Sequence, residues 1–364
     1  MNADAEKSIG RAAEAGRLGI AVIGAGVRGS RLARTLQESR DWNLAAICDP
    51  DAMRAAELSR KLGGAPHFGT IDEALDCVPL DTVAVATPLR FVHGTAMTAL
   101  RAGKHALVER PLADSLERGL ELVAEAQSNS VVLMANHAHS FTPAVQHLRT
   151  LTLSGSLGEL LFVDVVRTGT LPDPAQRDVF WDLAPESLAI LDRVLPEGLN
   201  SREVSAFGGD PLGTGRDCVG HVNFRLGNDA LAHLYVNRLS CVIRHQVVIA
   251  GSRLTVLWDG MRPGNQLSVV ASKPGWDTGT LPGHWRESRQ PWNTESFPAA
   301  IHGQETHLVA EFARRIREAD GLASPDASAL RVLAMLDAVA VSCSREGMAS
   351  PVQPPVAAGK AVKP

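Results

Sequence analysis

The sequence lacks three features that would each point to a particular class of protein. Its five cysteines are scattered and include no C-x-x-C pair, so we expect reduced interior thiols of a cytoplasmic protein and neither a disulfide framework nor a metal site. The net charge is only −4, which gives no reason to expect nucleic acid or an anionic membrane as a partner. No uninterrupted apolar run is long enough to cross a bilayer. At 364 residues the chain can form about two domains, and the partner that we expect is a small molecule.

Both ends of the sequence have the composition of tails. Residues 1–17 are small, polar and charged, without the apolar core of a signal peptide. Residues 349–364 contain too much proline and glycine to join a core. We expect a flexible tail at the start and a disordered tail at the end.

What the sequence does contain is a short apolar strand that runs into a G-x-G-x-x-G turn, at residues 18–29. Gly24 permits the tight turn, Gly26 lets the main chain approach a pyrophosphate, and Gly29 lets the next helix pack close to the strand. The N-terminus of that helix offers unpaired N–H groups to phosphates. The pattern predicts a dinucleotide site, and the residues expected to contact the cofactor here are Gly24, Gly26, Val27, Arg28 and Gly29.

The residue after the second apolar run bears on which dinucleotide is bound. Asp49 stands 20 residues after Gly29. A carboxylate at this place accepts hydrogen bonds from a ribose diol and repels a 2′-phosphate, so NAD is favoured over NADP. Arg54 is close enough in the sequence to leave NADP open.

From residue 18 to about 135, short apolar runs alternate with segments of helical spacing. Strands are predicted at 18–23, 44–48, 82–86, 105–108 and 131–135, and helices at 28–39, 52–62, 92–102 and 114–128. This alternation predicts an α/β Rossmann domain over 18–140, a doubly wound parallel sheet whose ligand crevice lies beyond the carboxyl ends of the strands. Besides the glycine turn and Asp49, the residues at those ends are Thr87, Pro88, Glu109, Arg110, Asn136 and His137.

After about residue 150, strand-like runs follow one another. They lie at 160–168, 218–226, 230–239, 245–250 and 253–258, with helical segments near 184–194 and 304–318. Strands in series predict an α+β domain with a mainly antiparallel sheet, which we assign to substrate binding and oligomerisation over 141–348.

One hairpin of this sheet has a register that can be predicted. A three-residue loop at 227–229 places one face mostly polar and the other apolar. The predicted pairs are His221 with Tyr235, Asn223 with His233 and Arg225 with Leu231 on the polar face, and Val222 with Leu234 and Phe224 with Ala232 on the apolar face. The apolar face should lie on helices, and the polar face is either solvated or part of a subunit contact.

Three motifs support a resemblance to a known family. They are Ala86-Thr87-Pro88, the run Ala102-Gly103-Lys104-His105-Ala106-Leu107-Val108-Glu109-Arg110-Pro111-Leu112-Ala113, and Trp181-Asp182-Leu183-Ala184-Pro185. Together they resemble the glucose–fructose oxidoreductase / inositol dehydrogenase / rhizopine catabolism (Gfo/Idh/MocA) family. The resemblance implies a Rossmann domain and an open-faced antiparallel sheet, pairing of subunits through that sheet into a dimer or tetramer, and hydride transfer between NAD(P) and a sugar or cyclitol carbon.

The sequence departs from the family pattern at two positions. Glu109-Arg110-Pro111 stands where the family has Glu-Lys-Pro, and Arg110 stays charged, so it can hold an oxygen or stabilise an alkoxide but cannot exchange a proton. Asp182 stands at the family's carboxylate, and Glu186 stands where the family has its catalytic His, one helical turn further on. Glu186 is either a base or an ion-pair partner of Arg110.

Other candidate residues are weighed against structural roles. His137 is the best substitute proton carrier, and His139 is a weaker candidate for substrate contact. Trp181 is expected either to stack in the substrate pocket or to belong to the core. His93 is interpreted as a helix-start residue that touches the cofactor. The group His302, Glu305 and His307 lacks metal-ligand spacing, and the loop at 273–297, with three tryptophans, has no assigned role.

The sequence therefore predicts an NAD-dependent oxidoreductase that acts on a sugar or sugar-like substrate, with nucleotide-linked and natural-product substrates included. The alternative is an NAD-binding enzyme without net redox turnover, such as a dehydratase, epimerase or cyclase, or a catalytically silent protein, because Arg110 and Glu186 replace the usual Lys and His.

Overall fold

The first apolar run of the sequence becomes β1 (Leu18–Ile23), an inner strand of a six-stranded parallel sheet. The other strands are β2 (Trp42–Cys48), β3 (His67–Phe68), β4 (Thr82–Val85), β5 (His105–Glu109) and β6 (Leu133–Asn136). The helices between them are α1 (Val27–Glu38), α2 (Ala52–Lys61), α3 (Ile71–Cys77), α4 (Leu89–Arg101) and α5 (Leu116–Ser128). Across the sheet the order is β3-β2-β1-β4-β5-β6, which confirms the predicted doubly wound sheet.

Local side-chain chemistry fixes where several of these helices begin. Asp51 precedes α2, Thr70 precedes α3 and Ser115 precedes α5, and each side chain accepts a hydrogen bond from the backbone N–H three residues on. Such caps satisfy an N–H group that has no partner within the helix. Two elements, β3 and α3, are too short to show a periodic pattern in the sequence and were not predicted.

The computed structural model describes residues 16–169, 178–227, 229–262, 266–271, 293–295, 303–319 and 327–355, and the chain forms two units. The first unit contains Met1–Phe141, Ala300–Asp337 and Gln353–Pro364, and the second contains Thr142–Ala299 and Ala338–Val352. The prediction that 141–348 forms a single domain is therefore wrong for the segment Ala300–Asp337.

That segment belongs to the first unit because α8 (Glu305–Arg317) packs on β2 and α1. The Trp42 indole donates a hydrogen bond of 2.9 Å to the carbonyl of Val309 and stacks on Phe312, and Arg317 lies 2.6 Å from Asp41. A buried indole N–H needs such a partner, and only an element distant in sequence provides it here.

The second unit is built on a nine-stranded mixed sheet. Its strands are β7 (Leu160–Thr168), β8 (Glu203–Gly209), β9 (Val219–Arg225), β10 (Leu231–Asn237), β11 (Arg244–Gly251), β12 (Leu254–Asp259), β13 (Gln266–Ala271), β14 (Asn293–Glu295) and β15 (Ser350–Pro351). They lie in the order β14-β13-β12-β11-β7-β10-β9-β8-β15, all antiparallel except for β7 with β10. The helices α6 (Pro143–Leu153) and α7 (Val179–Val194) belong to this unit, and α7 packs on the sheet.

The predicted hairpin register is confirmed at every pair. His221 faces Tyr235, and on the opposite face Val222 faces Leu234. The side chains of the second set are buried and those of the first are not, as the alternation requires.

Residues near the end of the chain depart from the predicted disordered tail. Ser350 and Pro351 form β15, which pairs with Val204 and Glu203 of β8. Residues 356–364 and 1–15 lie outside the described residues, as does the tryptophan-containing loop at 273–297 apart from β14.

One helix in the described part of the chain, α9 (Ala327–Ser344), is long and apolar enough to cross a membrane by length and composition alone. More than half of this helix is buried within the protein, and a buried core helix meets the same criteria of length and composition.

The five cysteines are all free. Cys48 and Cys218 are buried, and burial raises the pKa of the Cys48 thiol to about 12. Cys77 and Cys241 are exposed, so the expectation of interior thiols is wrong for these two.

Candidate nucleotide and substrate site

The glycine turn between β1 and α1 excludes side chains at two positions and leaves room at the third. Gly24 has φ +103°, and a Cβ there would lie 2.5 Å from the carbonyl oxygen of Ala86. A Cβ on Gly29 would lie 1.7 Å from the carbonyl oxygen of Gly24. Gly26 caps α1 in an extended conformation, and among the described atoms none lies within 4 Å of the position a Cβ would take. A phosphate can therefore approach the main chain at Gly26.

Asp49, directly after β2, is buried and tied to this turn. Its Oδ2 accepts a hydrogen bond of 2.8 Å from the N–H of Ala25, and its Oδ1 accepts one of 2.9 Å from the N–H of Asp51. Arg54 lies 3.7 Å from Asp49 and 3.2 Å from Asp51. A carboxylate has about four acceptor positions, so Asp49 can still accept from a ribose hydroxyl.

The carboxyl ends of β4, β5 and β6 carry polar atoms that suit a polar ligand. The Asn136 amide donates a hydrogen bond to Glu109 Oε1. Three other atoms here, Thr87 Oγ1, Glu109 Oε2 and Asn136 Oδ1, are buried and make no hydrogen bond within the described part of the chain. Buried polar atoms normally have a partner, so this edge fits a ligand with an amide and hydroxyl groups, such as the nicotinamide riboside half of NAD.

Charged groups surround the same edge of the sheet. Arg110 is largely buried, with its Nη1 3.9 Å from Glu109 Oε2, and Arg28 of α1 donates to the Arg110 carbonyl at 3.5 Å. Arg31, one turn further along α1, lies 2.5 Å from the buried carboxylate of Glu305. The predicted residues Arg28, Glu109, Arg110 and Asn136 are thus brought together, along with Glu305, which was not predicted to belong to the site.

The histidines and the remaining predicted residues are distributed as follows. His137 and His139 are buried in and just before the 3-10 helix Ala138–Phe141, directly after β6. His93 lies beyond the first turn of α4, whose N-cap is Pro88, and not at the helix start that was predicted. Its Nε2 is 2.8 Å from Glu121 Oε2 of α5. Val27 is almost fully exposed at the start of α1.

In the second unit, α7 carries Asp182 and Glu186 one turn apart, so both lie on one helix face. Both are buried, and Arg238, just after β10, lies 3.4 Å from Asp182 Oδ2. The next residue, Ser187, is hydrogen-bonded at 3.1 Å to His245 of β11, and both are fully buried. Polar side chains that are buried in a helix require partners from other elements. Arg238 is the partner of Asp182, and His245 is the partner of Ser187.

Trp181 lies in the lining of a cavity of about 450 Å³ next to the start of α7. The other lining residues are Asp178, Asp210, Gly215, Arg216 and Asp217. Burial and the nearby carboxylates of Asp178 and Asp210 raise the pKa of Asp217. An aromatic ring with several carboxylates suits a ring that bears hydroxyl or amino groups.

Several residues of these sites were not predicted from the sequence, among them Arg238 and Glu305. Arg238 directly follows a strand, and this position is the one feature of the sequence that could have indicated a role in the site. Glu305 was considered only as part of a group with His302, which lies outside the described residues, and His307, whose pKa burial lowers.

Residues 18–137 match the family model of the Gfo/Idh/MocA oxidoreductases, described as an oxidoreductase family with an NAD-binding Rossmann fold. Residues 18–137 are therefore similar to the NAD-binding domain of the Gfo/Idh/MocA oxidoreductases. The match covers β1 to β6, so the glycine turn, Asp49 and the residues at the strand ends lie within an NAD-binding domain.

Curated relatives match over less than half of the chain. Inositol 2-dehydrogenase of Corynebacterium glutamicum (strain R) is 32% identical over 148 residues, 40% of this chain and 44% of that protein. The 2,7-anhydro-N-acetylneuraminate hydratase of Escherichia coli (strain K12) is 28% identical over 148 residues, 41% of this chain and 39% of that protein. The chain spans less than half the length of these relatives.

A solved structure of levoglucosan dehydrogenase with NADH and levoglucosan is similar over nearly the whole chain. Its TM-score is 0.80 at 18% identity, covering 93% of this chain and 99% of that one. At this identity the likeness establishes the fold of both units and nothing about the substrate.

Proposed function

We propose that the protein is an NAD-dependent oxidoreductase that transfers hydride to or from a carbon of a sugar or sugar-like ring. The observation that carries this proposal is the set of buried polar atoms on Thr87, Glu109 and Asn136. These atoms lie at the carboxyl ends of the strands, the same edge of the sheet as the glycine turn. The match of residues 18–137 to an NAD-binding family model supports it.

In this proposal Gly26 and the N-terminus of α1 hold the pyrophosphate, and Asp49 holds the adenosine ribose. Glu109 and Asn136 orient the nicotinamide half. Bound NAD supplies or accepts the hydride. The side chains of the protein then have two tasks, which are to hold the reacting oxygen and to move one proton.

Arg110 is assigned to the reacting oxygen, because a permanently charged guanidinium stabilises a developing alkoxide. The proton is assigned to Glu186 or His137, which are both buried. Asp182 and its partner Arg238 keep the face of α7 that carries Glu186 in one orientation. The free cysteines support a cytoplasmic location.

The substrate class is supported by the cavity beside Trp181. Its volume of about 450 Å³ accommodates a monosaccharide-sized ring, and the Asp217 carboxylate in its lining can accept hydrogen bonds from hydroxyl groups. The relatives named inositol 2-dehydrogenase and levoglucosan dehydrogenase act on such rings by their names.

Nucleotide binding tests the cofactor assignment. Asp49→Asn removes the charge beside the ribose and one acceptor for backbone N–H groups, so we expect the affinity for NAD to fall about tenfold while the preference over NADP narrows. Calorimetric titration of the purified protein with both nucleotides measures this. Glu57→Gln, on the exposed face of α2, is the matched control and should change neither affinity. A stronger affinity for NADP in the unaltered protein would contradict the proposal.

A second candidate function is an enzyme that oxidises its substrate only transiently. Arg110 and Glu186 stand where the resemblance implies a Lys and a His, and one relative is named a hydratase. The two candidates differ in stoichiometry. An oxidoreductase consumes one NAD for each product formed, whereas the second candidate forms product with only catalytic amounts of nucleotide.

We also propose that the protein is a homo-oligomer through the outward face of the nine-stranded sheet. This face carries exposed apolar side chains, among them Phe162 (46% exposed) and Leu231 (56% exposed), which pair across β7 and β10. Next to them lies a row of hydrogen-bonded polar groups, Asp164, His233 and His221. Exposed apolar side chains among hydrogen-bonded polar ones are typical of a protein interface.

Charge on this face should prevent assembly. We expect Phe162→Glu and Leu231→Glu each to convert the oligomer to a monomer, because both introduce an unpaired carboxylate into the contact. Light scattering coupled to size-exclusion chromatography measures the mass. Phe91→Glu, an equally exposed aromatic residue on α4, is the control and should leave the mass unchanged. A monomeric unaltered protein would rule out this interface.

A further inference from the structure

Glu305 lies at the nucleotide edge of the first unit, although it is almost 200 residues from Arg110 in the sequence. The helix α1, which starts at the glycine turn, connects the two. Arg28 donates to the carbonyl of Arg110, and Arg31 contacts the Glu305 carboxylate at 2.5 Å. Residues three apart on a helix lie on the same face, so Arg28 and Arg31 connect the Arg110 backbone and Glu305 to one face of α1.

The charges around Glu305 form one cluster. Glu305 is only 4% exposed. Burial and the Glu109 carboxylate raise the pKa of Glu305, whereas the guanidinium groups of Arg31 and Arg110 lower it. Its helix α8 also packs on α1, on β6 and on the 3-10 helix that carries His139, while His307 follows on α8 itself. Three arginines thus share this edge of the sheet with two carboxylates. Replacing Glu305 with a neutral residue would remove one negative charge from this cluster.

We propose that Glu305 determines which redox form of the nucleotide the site prefers, with its negative charge favouring the oxidised form. The proposal rests on the proposed function, in which NAD binds at this edge. Oxidised nicotinamide carries one positive charge and the reduced ring carries none, while the rest of the nucleotide is the same. The electrostatic potential at the ring therefore separates the two affinities. Arg110 makes this potential positive at every working pH, and Glu305 offsets it.

Binding of the two nucleotides to Glu305→Gln tests the proposal without requiring turnover. We expect the affinity for NAD⁺ to fall about tenfold, because one negative charge is removed from a partly screened site, and the affinity for NADH to stay the same. Calorimetry at pH 8 measures both dissociation constants. Glu311→Gln removes a carboxylate from the same helix that pairs with Arg314 and Arg315, and it should leave the ratio of the two constants unchanged.

The pH dependence of the same ratio provides a second measurement on the unaltered protein. As the pH falls through the raised pKa of Glu305, the carboxylate gains a proton and the preference for NAD⁺ is lost, whereas Glu305→Gln shows no change with pH. Arg31→Gln removes a group that lowers this pKa, so the loss should begin at a higher pH.

Three results would overturn the proposal. An unchanged ratio in Glu305→Gln means that its charge does not reach the ring, and an equal loss for both nucleotides means that Glu305 is only structural. If the variant does not fold, a ratio that is flat with pH in the unaltered protein is equally decisive. Binding of neither nucleotide would remove the proposed function as well, while binding with an unchanged ratio would remove this inference alone.

Discussion

Gly29→Ala should destabilise the first unit by about 3 kcal/mol and abolish nucleotide binding. The new Cβ would lie 1.7 Å from the carbonyl oxygen of Gly24, and neither backbone can move without displacing β1 or α1. Gly24 is itself confined by Ala86. Urea denaturation without nucleotide measures the loss of stability, and titration with NAD measures the loss of binding.

Gly26→Ala separates the two effects. At Gly26 the described atoms leave a Cβ free space, and the φ of −69° is one that alanine adopts readily. We expect the free energy of unfolding to stay unchanged while the affinity for NAD falls, because the methyl group occupies the space that a pyrophosphate needs. If this variant binds NAD as tightly as the unaltered protein, the phosphates do not lie against Gly26.

Arg110→Ala should reduce turnover by a factor of about 100 or more, with NAD affinity retained, and the same loss is expected for Glu186→Gln or His137→Gln, whichever side chain carries the proton. Arg110→Ala removes the charge that stabilises the reacting oxygen, and Glu186→Gln removes a group that can accept a proton. Rapid-mixing measurement of a single turnover reports the chemical step, and calorimetry reports nucleotide binding.

Matched variants separate these roles. Arg110→Lys keeps a positive charge and should retain much of the activity. His137→Gln tests the other proton carrier, so activity in His137→Gln together with inactivity in Glu186→Gln assigns the proton to Glu186, and the reverse result assigns it to His137. Full turnover in both Arg110→Ala and Glu186→Gln would contradict the assigned roles.

Features that depend on local patterns were predicted from the sequence. The alternation of polar and apolar residues fixed the hairpin from His221 to Tyr235, because a slip of one residue would have turned its apolar side chains to the outward face. The glycine turn was predicted from the local spacing of its three glycines. Close approach of β1, α1 and the end of β4 admits only hydrogen at Gly24 and Gly29.

Features that depend on contacts between distant segments were not predicted. The placement of α8 in the first unit depends on Trp42, whose indole N–H finds its acceptor at Val309. The residues around Glu305 in the sequence are typical of a protein surface. Glu305 is buried against Arg31 only because α8 packs on α1. Likewise, the contact between Arg238 and Asp182 on α7 could not be predicted, because no spacing in the sequence indicates that these two residues lie close together.

The most direct test of hydride transfer follows the absorbance of bound nicotinamide while sugars, cyclitols and nucleotide sugars are added one at a time to the purified protein loaded with NAD or NADH. We predict that at least one ring compound changes the redox state of the bound nucleotide, and that Arg110→Ala, loaded in the same way, shows no change. Tight binding of NAD with no redox change for any compound would contradict the proposal of net hydride transfer.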